Sequence, residues 1–252
     1  MGRAVGCVLV AGGSGTRLGL GVPKALAVAG RSTLLELAVA AVAAVDPATG
    51  SRAVGTLVVV VPAAEQDACT AMVRQAWSAA GAPGDPVVVP GGADRQASVA
   101  AGLDALAEDV DVVLVHDAAR ALAPPSVFTA VAAAVAGDVV AVVPGLTPAD
   151  TVKQLAPATG GPRTVAGTLD RSSLVAVQTP QGFRADVLRA LHAADRTAAV
   201  TDDAGMAEAA GHPVVVVPGH TEAFKVTTAV DLLLARALLE NRSAGQDGAR
   251  DR

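Results

Sequence analysis

The sequence predicts an α/β fold in which a mostly parallel sheet lies between helices on both faces. Three observations carry that expectation: short β-branched runs alternate with alanine-rich stretches of helical spacing, several of the runs are apolar without a break, and a glycine cluster follows the first run directly. Alternation of this kind is the pattern of βαβ units. Unbroken apolarity suits strands buried on both sides.

The elements follow in order. Ala4–Val10 reads as the first strand, and Leu34–Val45 as the first long helix, with Ser32 expected as its N-cap. Thr56–Val61 is a strand, Glu65–Ala80 a helix, Pro86–Val89 a short strand, and Arg95–Ala107 a helix that Asp94 can cap. Strand Val110–Val115, helix Ser126–Ala136 and strand Val139–Val143 continue the series, and Asp186–Ala194, Val214–Val217 and Ala229–Leu239 complete it. Residues 144–177 break the alternation, with Pro148, Pro157, Gly160, Gly161 and Pro162 among short polar and β-branched pieces. Loops beyond ~12–15 residues in a compact domain are usually functional or ordered from outside the core. The segment is therefore expected to be a projecting hairpin-like arm packed against a second subunit. Residues 1–240 form one domain on this reading, and the polar tail 241–252 is expected to be disordered.

Composition excludes several classes. The 252 residues are 52% hydrophobic and 17% charged, with mean hydropathy +0.47, which rules out low-hydrophobicity disorder. Aromatic residues make up 2% and the net charge is −5, so neither base stacking nor broad phosphate attraction suits a nucleic-acid partner. Cys7 and Cys69 lack CxxC spacing, which argues against a disulfide scaffold or a structural zinc site. No apolar stretch approaches the ~18 residues of a membrane span, and no signal-peptide apolar region precedes the first strand. The expected setting is cytoplasmic, without a membrane partner.

Candidate chemistry begins at the first strand end, where Ala11-Gly12-Gly13-Ser14-Gly15-Thr16-Arg17-Leu18 is followed by Pro23-Lys24. Glycines let backbone N–H groups close on phosphate oxygens, and Arg17 and Lys24 can add charge-assisted bonds to the same anion. The loop lacks the third glycine of the dinucleotide fingerprint and the GK[ST] of a Walker A loop. Gly91-Gly92-Ala93-Asp94-Arg95-Gln96-Ala97-Ser98 opens a helix, whose first turn favours phosphate or a ribose hydroxyl near Ser98. His116-Asp117-Ala118-Ala119-Arg120 follows a buried strand at the carboxyl edge, where open α/β sheets bind ligands. Asp117 can hold Mg²⁺ against phosphate oxygens there, and Arg120 can pair a second phosphate. His116 lacks a second histidine at ligand spacing and reads as a packed residue.

The glycine loop with Arg17 and Pro23-Lys24 resembles the nucleotidyltransferases of the glycosyltransferase-A-like class, and Gly91–Val99 resembles the GGxxRxxSV turn of the members that use CTP. Asp150-Thr151-Val152-Lys153, Thr168-Leu169-Asp170-Arg171, Gln178-Thr179-Pro180-Gln181, Thr201-Asp202-Asp203-Ala204 and Phe224-Lys225-Val226-Thr227 follow. In this order, over nearly the whole chain, they resemble the 2-C-methyl-D-erythritol 4-phosphate cytidylyltransferase family of the non-mevalonate isoprenoid pathway. The resemblance implies a Rossmann-like three-layer nucleotidyltransferase fold with the β-arm used for homodimerisation. It implies a nucleotide site of Ala11, Gly12, Gly13, Gly15, Arg17, Lys24, Gly92, Ser98 and Ala118. It further implies a sugar-phosphate site of Asp117, Arg120, Thr201 and Lys225, completed by Thr151 and Arg171 from the partner's arm. Arg17, Lys24 and Lys225 would carry the reaction, with Mg²⁺ at Asp117 and CTP and 2-C-methyl-D-erythritol 4-phosphate as substrates.

Ala93, Ala25, Ala121 and Ala149 depart from residues common in the family, and none of them removes a charge assigned to the reaction. No Ser/His/Asp or Cys/His nucleophile set is present, which suits direct attack by one phosphate on another. A ribitol 5-phosphate cytidylyltransferase and a non-catalytic nucleotide-binding protein are the alternatives. The first shares the glycine loop, and the second would be expected to have lost one of Arg17, Lys24, Asp117 or Lys225.

Overall fold

A computed structural model of the chain describes residues 3–13, 15, 18–45, 54–158, 160–194 and 201–250, the last eight of these by backbone only. In chain order the strands are β1 (Val5–Val10), β2 (Val28–Ala29), β3 (Ser32–Thr33), β4 (Val54–Val61), β5 (Val87–Pro90), β6 (Val112–Asp117), β7 (Ala141–Leu146), β8 (Lys153–Leu155), β9 (Val165–Thr168), β10 (Ala176–Val177), β11 (Gln181–Arg184) and β12 (Val214–Pro218). The α-helices are α1 (Leu34–Ala43), α2 (Gln66–Ala79), α3 (Arg95–Asp104), α4 (Pro125–Ala134), α5 (Ala185–Ala193), α6 (Asp203–Ala209) and α7 (Ala229–Arg250).

The central sheet is mostly parallel, as expected. β6, β1, β4 and β5 run parallel side by side, with Val8 opposite Val115 on one flank and Val58 on the other. β12 adds in parallel to β7 on the far edge. β11 lies antiparallel between β6 and β7, placing Phe183 opposite Val113 and Ala141. Because Gly145 faces Pro218 on one side, its other partner Val177 puts β10 in line with β11, as one strand interrupted at 178–180. This antiparallel insertion is absent from the sequence reading, since Gln181-Gly182-Phe183-Arg184 has neither alternation nor a β-branched run.

Period-two alternation divides the strand residues between two apolar layers. Cys7, Leu9, Leu57, Val59 and Leu114 face one core with α1, α2, α4 and α7, and Val8, Val58, Val60, Val113 and Val115 face the other with α3, α5 and α6. Both cysteines are buried and free.

Helix ends refine the expected boundaries. Asp94 caps α3, its carboxylate accepting from the Ala97 N–H at 2.7 Å. The cap of α1 is Thr33 rather than Ser32: the Thr33 hydroxyl accepts from Glu36 N–H while the Glu36 carboxylate accepts from Thr33 N–H, a reciprocal pair that requires three-residue spacing. His116 and Asp117 belong to β6 rather than following it, because β1 extends the ladder to pair them with Leu9 and Val10. Residues 241–250, expected to be disordered, continue α7 as helix. The 144–177 segment contains the hairpin β8–β9, which pairs only with itself and stands apart from the central sheet.

Close packing of α3 on the sheet depends on Gly102, where a Cβ would fall 2.4 Å from Val8 Cγ1 and 2.9 Å from Val60 Cγ2. Gly102→Val is expected to lower unfolding free energy by about 1–3 kcal/mol through overpacking. Urea titration of the two proteins checks this, and an unchanged midpoint would contradict it.

Candidate active site

At the carboxyl ends of β1 and β6, an open cavity of about 250 Å³ has walls from five parts of the chain. Ala11, Gly12 and Gly13 follow β1, Gly92 to Arg95 and Ser98 open α3, and Asp117 to Ala119 end β6. Lys24 and Lys225 reach it from the 3-10 turn at Lys24–Leu26 and the segment before α7. Parallel strands make this possible: they point the same way, so their ends gather several loops at one rim.

Each wall is fixed locally. Lys24 N–H donates to Gly13 carbonyl at 3.1 Å, folding the loop back so that a Cβ on Gly13 would come 3.4 Å from Lys24 Cε. Gly15 holds φ +71°, and a Cβ there would lie 2.9 Å from the Lys24 backbone nitrogen. Only glycine combines that dihedral with that approach. The Ser98 hydroxyl donates to Asp94 carbonyl at 2.8 Å and accepts from Gly92 N–H at 3.1 Å, tying the diglycine turn to α3. Val226 N–H donates to Ala119 carbonyl at 2.8 Å, which sets Lys225 beside the end of β6.

Asp117 is the electrostatic centre. Its Oδ2 lies 2.7 Å from Lys225 Nζ and its Oδ1 3.4 Å from Arg95 Nε. Burial alone would raise its pKa, but the Lys225 ammonium and the Arg95 guanidinium outweigh that and hold the carboxyl well below the usual range. Arg95 is in turn 2.6 Å from Asp203 Oδ2, and His192 Nε2 is 2.9 Å from Asp203 Oδ1. Burial lowers the Arg95 pKa, yet Asp203 and Asp117 more than offset it, so the guanidinium stays charged.

His116 sits beneath Asp117, fully buried against the Phe128 ring at a centroid distance of 4.7 Å. Thr179 Oγ1 accepts from Asp117 N–H at 3.0 Å and shares a second hydrogen bond with His116 Nδ1, also at 3.0 Å. Burial, reinforced by the Arg120 charge, lowers the His116 pKa from 6.5 to about 4.

Of the residues singled out from the sequence, Ala11, Gly12, Gly13, Lys24, Gly92, Ser98, Asp117, Ala118 and Lys225 line this one cavity. Gly15 shapes its loop from behind. Arg120 is turned to the backbone, donating to Ala223 carbonyl at 2.8 Å and Val177 carbonyl at 3.2 Å, and so braces the approach to Lys225. Thr201 lines a neighbouring cavity that shares Asp94 and Arg95 with the first. Thr151 and Arg171 lie on the exposed arm, where Arg171 donates to Ala149 carbonyl at 2.6 Å. Arg17 lies outside the described residues. Arg95 was missed as a site residue although the GGxxRxxSV turn contains it.

Among the described residues no group of three His, Cys, Asp or Glu could hold a metal ion. Asp117 retains unused lone pairs beyond its two cationic contacts. It therefore fits Mg²⁺ in the mode of one carboxylate sharing the ion with substrate phosphates. No helix among the described residues is long and apolar enough to cross a membrane.

Comparison with known proteins gives a consistent family. The family model described as IspD, 2-C-methyl-D-erythritol 4-phosphate cytidylyltransferase, matches residues 5–241. A Streptomyces avermitilis protein of that name is 50% identical over 245 residues, covering 96% of this chain and 94% of its own. The crystal structure of 2-C-methyl-D-erythritol 4-phosphate cytidylyltransferase from Thermus thermophilus superposes with TM-score 0.67 at 33% identity, covering 92% of this chain and 98% of its own. A 4-diphosphocytidyl-2C-methyl-D-erythritol synthase structure from Anaerococcus prevotii gives TM-score 0.78 at 24% identity, over 94% and 96% of the two chains, a likeness of fold.

A histidine that is neutral when folded and charged when unfolded stabilises the protein above the unfolded pKa and loses that contribution as pH falls through the folded one. The window here runs from 6.5 down to about 4. The stability gap between the parent and His116→Gln is expected to shrink by about 2 kcal/mol from pH 7.5 to pH 5. Urea unfolding at both pH values measures it; a constant gap would show that His116 does not titrate abnormally.

Proposed function

We propose a function from one premise: this chain belongs to the 2-C-methyl-D-erythritol 4-phosphate cytidylyltransferase family. It is a nucleotidyltransferase that makes 4-diphosphocytidyl-2-C-methyl-D-erythritol and pyrophosphate from CTP and 2-C-methyl-D-erythritol 4-phosphate, a step of the non-mevalonate isoprenoid pathway. The observation that carries this reading is the convergence of a glycine loop, Lys24, Arg95, Lys225 and one buried carboxylate on a single cavity.

The reaction needs little covalent help from the protein. A phosphate oxygen of the sugar phosphate attacks the α-phosphorus of CTP in line, forming one P–O bond as the bond to pyrophosphate breaks. A phosphate monoester is already largely ionised near pH 7, so no general base is required. Positioning and neutralisation of developing charge remain. The backbone of Ala11, Gly12, Gly13 and Gly15, with Gly92, Ser98 and Ala118, would surround the nucleotide, and Arg17 and Lys24 its phosphates. Lys225, with Asp117, Arg120 and Thr201, would face the sugar phosphate. Asp117 would hold Mg²⁺ together with phosphate oxygens, and the bound ion would offset negative charge on the triphosphate and on the departing pyrophosphate.

Thr151 and Arg171 point to a homodimer in this reading. Neither lines the cavity of its own chain, and the arm that holds them exposes Leu155, Val165 and Leu169. A second copy would cover those side chains and receive Thr151 and Arg171 at its sugar-phosphate site. We place the enzyme in the cytoplasm.

Pyrophosphate release with CTP and Mg²⁺ tests the proposal, comparing 2-C-methyl-D-erythritol 4-phosphate with D-ribitol 5-phosphate and with no acceptor. Turnover is expected with the first acceptor alone and should stop on chelation of the metal; release only with ribitol phosphate would move the substrate. Lys24→Ala is expected to lower kcat by 10²–10³-fold, about 2.7–4 kcal/mol, as for loss of one preorganised charge contact. Near-normal turnover in that variant would contradict the role of Lys24. Arg171→Ala should raise the KM for the sugar phosphate more than that for CTP, and the reverse pattern would displace the arm from the acceptor site.

A further inference from the structure

From the cavity wall a line of ion-paired and hydrogen-bonded groups runs back into the fold: Lys225, Asp117, Arg95, Asp203 and, at its end, His192. The successive separations are 2.7, 3.4, 2.6 and 2.9 Å. We propose that Asp203, oriented by His192, is a positioning residue for the transfer, acting through Arg95 to hold Asp117 and Lys225 in their working geometry. Neither Asp203 nor His192 lines the main cavity, Asp203 reaching only the neighbouring one beside Thr201, and the inference rests on the cytidylyltransferase reading given above.

Burial makes the pair informative. Asp203 is 1% exposed and the His192 side chain 4%. Burying a charge is costly and a buried ion pair is weak evidence of net stabilisation. Its better supported use is to enforce one arrangement of groups, and here that group is Arg95, whose guanidinium joins Asp203 to Asp117. Without Asp203, Arg95 keeps Asp117 as its remaining carboxylate partner among these contacts, and the share of Asp117 available to Lys225 changes with it.

Hydrogen bonds from neighbouring elements hold the helices that carry the pair. Asp203 is the first residue of α6, whose cap Asp202 accepts from Gly205 N–H at 2.9 Å and from Gln181 Nε2 at 2.7 Å. Gln181 Oε1 accepts from Ala204 N–H at 3.1 Å, so β11 grips the start of α6 twice. His192 lies on α5, which Arg189 ties to the end of α3 by donating to Leu103 carbonyl at 2.7 Å and Leu106 carbonyl at 3.0 Å. The helices carrying Arg95 and His192 are thus bound to each other independently of the charges. A misplacement of about 1 Å at a reacting centre can reduce rate by 10²-fold, which sets the scale expected here.

The test is a double-mutant cycle on kcat with saturating CTP and sugar phosphate. Asp203→Asn, which preserves shape and removes the charge, is expected to lower kcat about tenfold, and Arg95→Ala about a hundredfold. If Asp203 acts through Arg95, the double variant matches Arg95→Ala within about twofold. Multiplying losses, or an Asp203→Asn enzyme within twofold of the parent, would overturn the proposal. His192→Gln gives a second route should Asp203→Asn fail to fold: a smaller loss is expected, vanishing in the Arg95→Ala background, and persistence there would overturn it equally. Turnover by the unaltered enzyme in the same assay checks the family reaction separately, since its absence would sink that reading and not the cycle's logic.

Discussion

A carboxylate at the buried end of a central strand is the constraint around which this site is organised. Asp117 occupies the last position of β6, where the sheet is covered on both faces, and an ionised group there must be met by opposite charge. Lys225 and Arg95 meet it from two directions, and because Arg95 is itself half withdrawn from water it needs Asp203. One buried charge thereby recruits the start of α3, the start of α6 and the segment before α7. The same cations that make Asp117 tolerable line the cavity, so they bring positive charge to its wall.

Much of the fold was legible because apolar periodicity reports burial directly. β1, β4, β6 and β7 were recognisable from Val-rich runs, and their lengths changed by only a few residues. β11 was not, since four residues with polar ends are held in place by neighbours on both flanks rather than by any pattern of their own. Thr33 could have been chosen over Ser32 from sequence alone, because Glu36 stands three residues beyond it. The helix past Leu239 has too little apolar spacing to announce itself.

The site was legible to the depth of its motifs and no further. Gly12, Lys24, Ser98, Asp117 and Lys225 came from short strings whose residue types suit phosphate chemistry, and they line one cavity. Arg120 came from the same kind of string, yet its guanidinium is engaged by the Ala223 and Val177 carbonyls. Arg95, His192 and Asp203 meet only because α3, α5 and α6 pack on one face of the sheet. No spacing in a one-dimensional string relates residues 95, 192 and 203. Electrostatic partners of this kind are tertiary facts.

The antiparallel insertion of β11 between β6 and β7 also orders events in time. β7 cannot be joined to β6 in the finished sheet until the arm has been made and the chain has returned through Gln181–Arg184, which lies between them. Lys225 comes later still, 108 residues after Asp117. At roughly 5–20 residues per second of synthesis, that interval is about 5–20 s, during which a nascent chain carries Asp117 without its nearest counter-ion. The cavity is therefore among the later parts of the molecule to be completed, because Lys225 is the last-made of its lining residues.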